Sequence, residues 1–309
     1  MLAFLQENLI PEIPLEDWTN TAEEYITDSF GSFFDFAKSG LENLVDVFEA
    51  ILLFPPELVM VGILSLIAFF IAGWRVAVFS VIGFLLIIGL RLWEISMESL
   101  ALVLASTVVA LAIGIPLGIL VAQSRNLESV VTPALDVMQT LPAFVYLVPL
   151  VVLLGLGAGP ALVAVVVFAM PPAVRLTMLG IRQVPKNTVE AAHAFGATPW
   201  QTLWKVELPQ ALPTIMAGVN QVIMLSLSMV VIAGLVGAGG LGDEVVRGLG
   251  RLDVGQAFVG GLGIVIIAIY LDRVSRNLST VARRTTHKKG AFSKALRREK
   301  KQEPEKAAA

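Results

Sequence analysis

Uncharged apolar runs of near-spanning length follow one another through residues 58–271, and a single soluble core could not bury them all. About 20 helical residues cross the hydrocarbon of a bilayer. Seven runs are candidates: residues 58–74, 76–90, 100–122, 137–159, 160–179, 212–238 and 254–271. Lipid leaves no water to satisfy backbone polar groups, so these runs are expected to be helices. The predicted fold class is all-α, a polytopic membrane protein of about seven transmembrane helices. Composition agrees: hydrophobic residues make up 56% and charged residues 15%, against about 25% charged in ordinary soluble domains.

The first two runs are short and separated only by Arg75. Arg75 and Arg91 can snorkel while Trp74 and Trp93 sit at the interfaces, which predicts a tight helical hairpin. Residues 100–122 carry Gly114-x-x-x-Gly118 and Pro116, a pattern suited to close helix packing, with a dimerisation motif as the alternative reading.

Charge falls in three blocks. Residues 1–57 hold twelve acids and one base, Lys38, a net of −11. Residues 58–272 hold nine bases and ten acids, a net of −1, and from Arg273 onward twelve bases face three acids, a net of +9. A tail this basic belongs in the cytoplasm. Seven spans then put the N-terminus outside, with Arg75, Arg125, Arg175, Arg182, Lys186 and Lys205 on or near the cytoplasmic side and Arg91, Arg247 and Arg251 near the outer one. The expected organisation is an acidic extracytoplasmic segment (1–57), a transmembrane hairpin (58–95), a transport domain (96–276) with a cytoplasmic loop at 185–210, and a basic cytoplasmic tail (277–309).

Within the acidic block, Phe30, Phe33, Phe34, Ala37, Leu41, Leu44, Val45, Phe48 and Leu52 recur at helical spacing. Met1–Ile10 has no basic n-region and no small-residue cleavage site, so the segment is expected to be retained and to lie along the outer membrane surface. The tail, with Arg283, Arg284, Lys288, Lys289, Arg297, Arg298, Lys300 and Lys301, reads either as a topological anchor or as a sensor of ionic strength through anionic lipid. Deleting residues 283–309 and measuring the salt dependence of uptake separates the two.

A polar loop breaks the apolar pattern: Glu190-Ala191-Ala192-His193-Ala194-Phe195-Gly196, nine residues, then Val206-Glu207-Leu208-Pro209. Pro185 to Asn187 can open a helix, Glu190 lies near its positive end, and Gly196 is a natural stop. A second helix follows, with Thr198 as N-cap, Pro199 at the first position and Gln201 completing a capping box. Leu208-Pro209 is expected to end it. A helix-turn-helix outside the bilayer is a docking element for a partner, or else a structural hairpin.

Its spacing, E-A-A-x-x-x-G-x9-I-x-L-P with Val206 in the Ile position, resembles the signature of membrane subunits of ATP-binding-cassette (ABC) importers. The stretches 138–149, 171–177, 216–221, 227–233 and 247–253 are similar to permeases of binding-protein-dependent glycine betaine/proline betaine importers, and the resemblance covers about residues 58–280. It implies the type I importer transmembrane fold and two permease copies, hence a homodimer. Two cytoplasmic ATPases carrying ATP and magnesium, and an extracytoplasmic substrate-binding protein, are the further partners implied. Glu190, Ala191, Ala192, Gly196, Val206, Leu208 and Pro209 would then couple to the ATPase, the small residues permitting close approach.

Chemistry on the chain itself is sparse. There is no Gly-Lys dipeptide, hence no P-loop, and ATP hydrolysis is expected elsewhere. Gly237-Ala238-Gly239-Gly240-Leu241-Gly242 is formally G-x-G-x-x-G, but it follows a helix-length run and precedes Asp243 and Glu244, so it reads as an outer turn. Gly239, Gly240 and Gly242 are candidates for an outer gate. Asn220, Gln221, Ser226 and Ser228 are candidates for a translocation path. Phe144 and Tyr146 read as packing, and the spans hold no clear aromatic cage for a quaternary amine. His193 and His287 are far apart and no cysteine is present, so no metal site, cofactor or disulfide is expected on this chain. Membrane lipid is an expected partner and nucleic acid is not.

The spans lack the ionisable relays of proton-coupled transporters, which argues against an ATP-independent carrier. An intramembrane enzyme would need a cluster of carboxylates, histidines or a serine-base pair, and none is apparent. What the resemblance implies is the permease of an importer moving a betaine-like osmolyte by alternating access, with another small solute such as an amino acid as the alternative.

Overall fold

A computed structural model describes residues 14–278. The Met1–Ile10 segment and the cationic residues from Arg283 onward lie outside the described residues. Among the described residues every regular element is helical.

Helix α1 (Leu15–Leu53) ends at Phe54, because Pro55 and Pro56 cannot donate to a continuing ladder. Its apolar stripe is used unequally. Val45 and Leu52 are buried, with Leu41, Leu44 and Phe48 packed beside them, whereas Phe30 and Phe33 remain exposed. Helices α2 (Glu57–Ala72) and α3 (Trp74–Gly89) form the expected hairpin. The break falls at Gly73, in left-handed backbone at φ +91°, and not at Arg75. The Arg75 guanidinium lies over the Trp74 ring, 5.8 Å from its centroid. Phe84 of α3 meets Trp93 and Tyr270 edge-on, and the Tyr270 hydroxyl donates to the Leu64 carbonyl at 3.1 Å, tying the hairpin to the last helix.

Helix α4 (Trp93–Gln123) is the long central element, and Gly114 and Gly118 explain its partner. A Cβ on Gly114 would press on Ala173 and Met170, and one on Gly118 on Thr177 and the Val174 carbonyl. The small-residue motif therefore seats α4 against α7 (Ala158–Arg182) within this chain. A second seam joins α7 to α10 (Leu208–Ser228): Gly180 lies against Ala211 and Thr214, and Gly218 against Leu176 and the Pro172 carbonyl.

Two expected boundaries are corrected. Residues 137–159 are not one span. The chain breaks at Leu141-Pro142 into α5 (Arg125–Thr140) and α6 (Ala143–Leu154), bent by 95°, because the residue before proline is driven to extended backbone, here ψ 130° at Leu141. Leu208-Pro209 does not end the second loop helix either. From α9 (Pro199–Thr202) the chain widens into a π turn (Leu203–Glu207) and continues as α10. The Leu208 N–H reaches back five residues to the Leu203 carbonyl, and this wider turn accommodates Pro209, which cannot sit inside an ordinary α ladder.

The last elements are α11 (Val230–Leu235), α12 (Gly240–Gly250) and α13 (Val254–Leu278). By length and composition four helices can cross a membrane, namely α4, α7, the continuous Pro199–Leu235 helix and α13. Pairing α1 with α2 and α5 with α6 raises this to six. The seven apolar runs thus do not become seven unbroken spans. At 16 residues each, α2 and α3 reach only about 24 Å, short of the ~30 Å hydrocarbon.

Candidate functional site

The loop expected at 185–210 is a compact hairpin. Pro185 opens α8 (Lys186–Ala194), none of whose side chains is buried. At its end the Ala197 N–H donates to the Ala192 carbonyl and the Gly196 N–H to the His193 carbonyl, with Gly196 at φ +80°. This is a Schellman stop of the kind the glycine predicts. Two residues later the capping box forms: the Gln201 N–H donates to Thr198 Oγ1 at 3.3 Å and the Thr198 N–H to Gln201 Oε1 at 3.1 Å.

The candidate coupling residues divide by exposure. Glu190, Ala191, Gly196 and Pro209 are exposed, Ala192 and Val206 half-buried, and Leu208 turns inward onto Ile181, Leu203, Ala211 and Ile215. Three aromatic residues that the motif spacing did not single out complete the surface. Phe195 is 93% exposed at the tip, Trp200 67% and Trp204 52%, with the two indoles 5.5 Å apart. Their i, i+4 spacing on a polar element was the available signal. An open cavity of about 510 Å³ beside them is lined by Gln123, His193, Pro199, Trp200, Thr202, Leu203 and Glu207. Glu207 sits within the hairpin, where partial burial raises its carboxyl above the ordinary range and the nearby His193 opposes that shift.

The end of α7, which leads into the hairpin, is tied to its neighbours. The Arg182 guanidinium donates to the carbonyls of Val121 at 3.1 Å and Ala122 at 3.4 Å and to Glu128 Oε1 at 2.6 Å, so one side chain joins the ends of α4, α5 and α7. Arg175, seven residues or about two turns earlier on α7, pairs with Asp136.

The four candidate path residues do not share a face. Asn220 accepts from Ser275 Oγ at 2.6 Å and so binds α13, while Ser226 is wholly buried among its neighbours. Gln221 and Ser228, seven residues apart, both lie on the exposed stripe with Ala217.

The glycines near 240 form a sharp reversal. Gly237, Gly239 and Gly240 have φ of +74°, +77° and +72°. A Cβ on Gly242 would collide with the Val230 carbonyl, and one on Gly234 with the Gly242 backbone, so α11 and α12 touch main chain to main chain. Among the described residues no group of three or more His, Asp or Glu is placed to hold a metal ion.

An all-helical bundle of candidate spans with a polar, aromatic-tipped hairpin outside it is the architecture of an importer's membrane subunit. Residues 114–283 match the family described as binding-protein-dependent transport system inner membrane component, and the chain belongs to that family. Its relatives narrow the class. The chain is 47% identical over 278 residues to the glycine betaine/carnitine transport permease protein GbuB of Listeria monocytogenes, covering 89% of this chain and 98% of that one. It is 46% identical to the glycine betaine/proline betaine transport system permease protein ProW of Escherichia coli, covering 85% and 75%. It is likewise 46% identical to the glycine betaine transport system permease protein OpuAB of Bacillus subtilis, covering 87% and 95%. In structure it is similar to an inward-facing form of the MetNI methionine ABC transporter, at TM-score 0.55 and 25% identity, covering 60% of this chain and 92% of that chain. The chain is thus a polytopic inner-membrane transport subunit with the type I importer fold. It is not an enzyme, and its class works with a separate ATPase and a substrate-binding protein.

Proposed function

We propose that this chain forms the membrane path for glycine betaine, proline betaine or a related quaternary-amine osmolyte, moved into the cytoplasm by alternating access. The observation that carries the substrate class is identity of 46–47% to three betaine permeases over 85–89% of the chain. Two copies would pair, each hairpin seating Glu190, Ala191, Ala192 and Gly196 in a groove of a cytoplasmic ATPase that holds ATP and magnesium. Val206, Leu208 and Pro209 would carry its motion into α10. The N-terminus would face outward, the acidic α1 lying at the outer lipid surface, and the C-terminus would be cytoplasmic.

In this reading Gln221 and Ser228 line the path, since an exposed amide facing lipid would be costly. Asn220 and Ser226 serve packing. Gly239, Gly240 and Gly242 contribute an outer gate. Substrate choice rests chiefly on the binding protein.

The test is reconstitution into liposomes with the cognate ATPase and binding protein, followed by uptake of labelled glycine betaine. Uptake that requires ATP, the ATPase, the binding protein and this chain together is the expected result. Uptake by the purified chain alone would overturn it in favour of an ATP-independent carrier. ATP-dependent uptake of an amino acid in place of betaines would overturn the substrate class alone.

A further inference from the structure

The first N–H groups of any helix lack partners within it. In α12 they are met from a helix 142 residues away. The Gly240 N–H donates to Glu98 Oε2 at 2.8 Å and the Leu241 N–H to Ser99 Oγ at 2.7 Å. Both acceptors stand on adjacent positions of α4, near its N-terminal end. The glycines make the approach feasible, because a Cβ on Gly240 would overlap Ser99 Oγ and one on Gly239 would reach within 3.0 Å of Glu98 Oε2. A carboxylate at a helix N-terminus is a charge-assisted contact, favoured by the helix dipole as well as by the hydrogen bond.

The two sides of α12 differ in kind. Towards α11 the contact is backbone against backbone at Gly234 and Gly242, with no side chain to rotate away, so α11 and α12 behave as one unit. Towards α4 two side-chain hydrogen bonds add to a close approach at Gly240, where a Cβ would meet Ser99 N at 3.1 Å and the Ile95 carbonyl at 3.2 Å, and to the buried Leu241; the hydrogen bonds are the part of this contact that a side-chain rotation alone can break. Glu98 is only half-buried, so on release its carboxylate can be hydrated.

We propose that Glu98 and Ser99 are positioning residues that latch the outer turn, holding α12 against α4 in one state of the transport cycle and releasing it in the other. This rests on the outer-gate reading of Gly239, Gly240 and Gly242. Neither residue needs to touch substrate. Their role is to set where the N-terminus of α12 stands.

The test places a single cysteine at Ala238 in the otherwise cysteine-free chain and follows its reaction with an impermeant maleimide in the complete complex, in nanodiscs, without nucleotide. Glu98→Ala should speed labelling at least roughly tenfold, the factor corresponding to loss of one charge-assisted hydrogen bond. It should also raise ATP turnover without binding protein relative to uptake. Glu98→Gln keeps an acceptor oxygen but not the charge, and its labelling rate should fall between the parent's and that of Glu98→Ala. Ser99→Ala gives a smaller shift in the same direction and serves if Glu98→Ala does not assemble.

Unchanged labelling in both alanine variants would overturn the latch. So would a glutamine variant as defective as alanine, or uptake and ATP turnover falling in proportion with complex yield. Failure of the parent complex to import betaine would instead sink the functional reading, since the labelling rates need no transport.

Discussion

Gly196 occupies left-handed backbone with open space where a Cβ would stand, so substitution there is penalised by conformation and not by collision. Gly196→Ala should cost about 1 kcal/mol in hairpin stability, and a β-branched residue more, while Gly196→Asn is better tolerated. Uptake and ATPase copurification should fall in the order Asn, Ala, Val while membrane insertion is unchanged. An equal loss for all three would point to the glycine surface itself. Gly242 is the opposite case, blocked by the Val230 carbonyl. Gly242→Ala should destabilise the detergent-solubilised protein by at least about 1–3 kcal/mol, read as a lower Tm, whereas Gly62→Ala, with nothing near, should leave it almost unchanged. The sequence marked both residues through motif spacing. It could not tell them apart, because the distinction lies in what a neighbouring helix puts opposite each one. The same limit applies to Asn220 and Gln221, adjacent in sequence yet turned by helical geometry to α13 and to the exposed stripe respectively.

The hairpin was the most legible element. Its stop, cap and entry proline are local signals, satisfied within a few residues, and all three appear where the spacing placed them. Thr198→Ala removes the cap and should weaken α9 by about 1 kcal/mol. Amide exchange should accelerate at Trp200 and Gln201 with α4 and α7 unaffected, and uniform acceleration would mean that the cap has a wider role. Exits from apolar runs were less legible. Hydropathy does not register a turn inside a greasy stretch, so Leu141-Pro142 passed unnoticed within residues 137–159. At Pro209 the reverse held: a breaker was recognised, but the wider π turn absorbed it. The Arg182 contacts were not legible either, since they join helix ends 54 to 61 residues apart in sequence.

Across the whole molecule the polar hairpin and the acidic helix are expected on opposite faces of the bilayer. The chain has no cysteine, so single cysteines can be introduced at Phe195 and Tyr25, both strongly exposed. An impermeant maleimide should reach the first from the cytoplasm only and the second from outside only. Labelling of both from one side would leave an even number of crossings between them, as when the bent pair α5–α6 enters and leaves by the same face. The membrane class was plain from composition, but the crossing number was not, because α2, α3, α5 and α6 are individually too short to decide it. The helix from Pro199 to Leu235 has 37 residues, about 55 Å from end to end. Gly218, against Leu176 and Pro172, stands close to its midpoint. Were this helix to tilt about that point as one piece, about 10° would carry its two tips some 5 Å each in opposite senses, so that one end of a passage beside it would widen as the other narrowed.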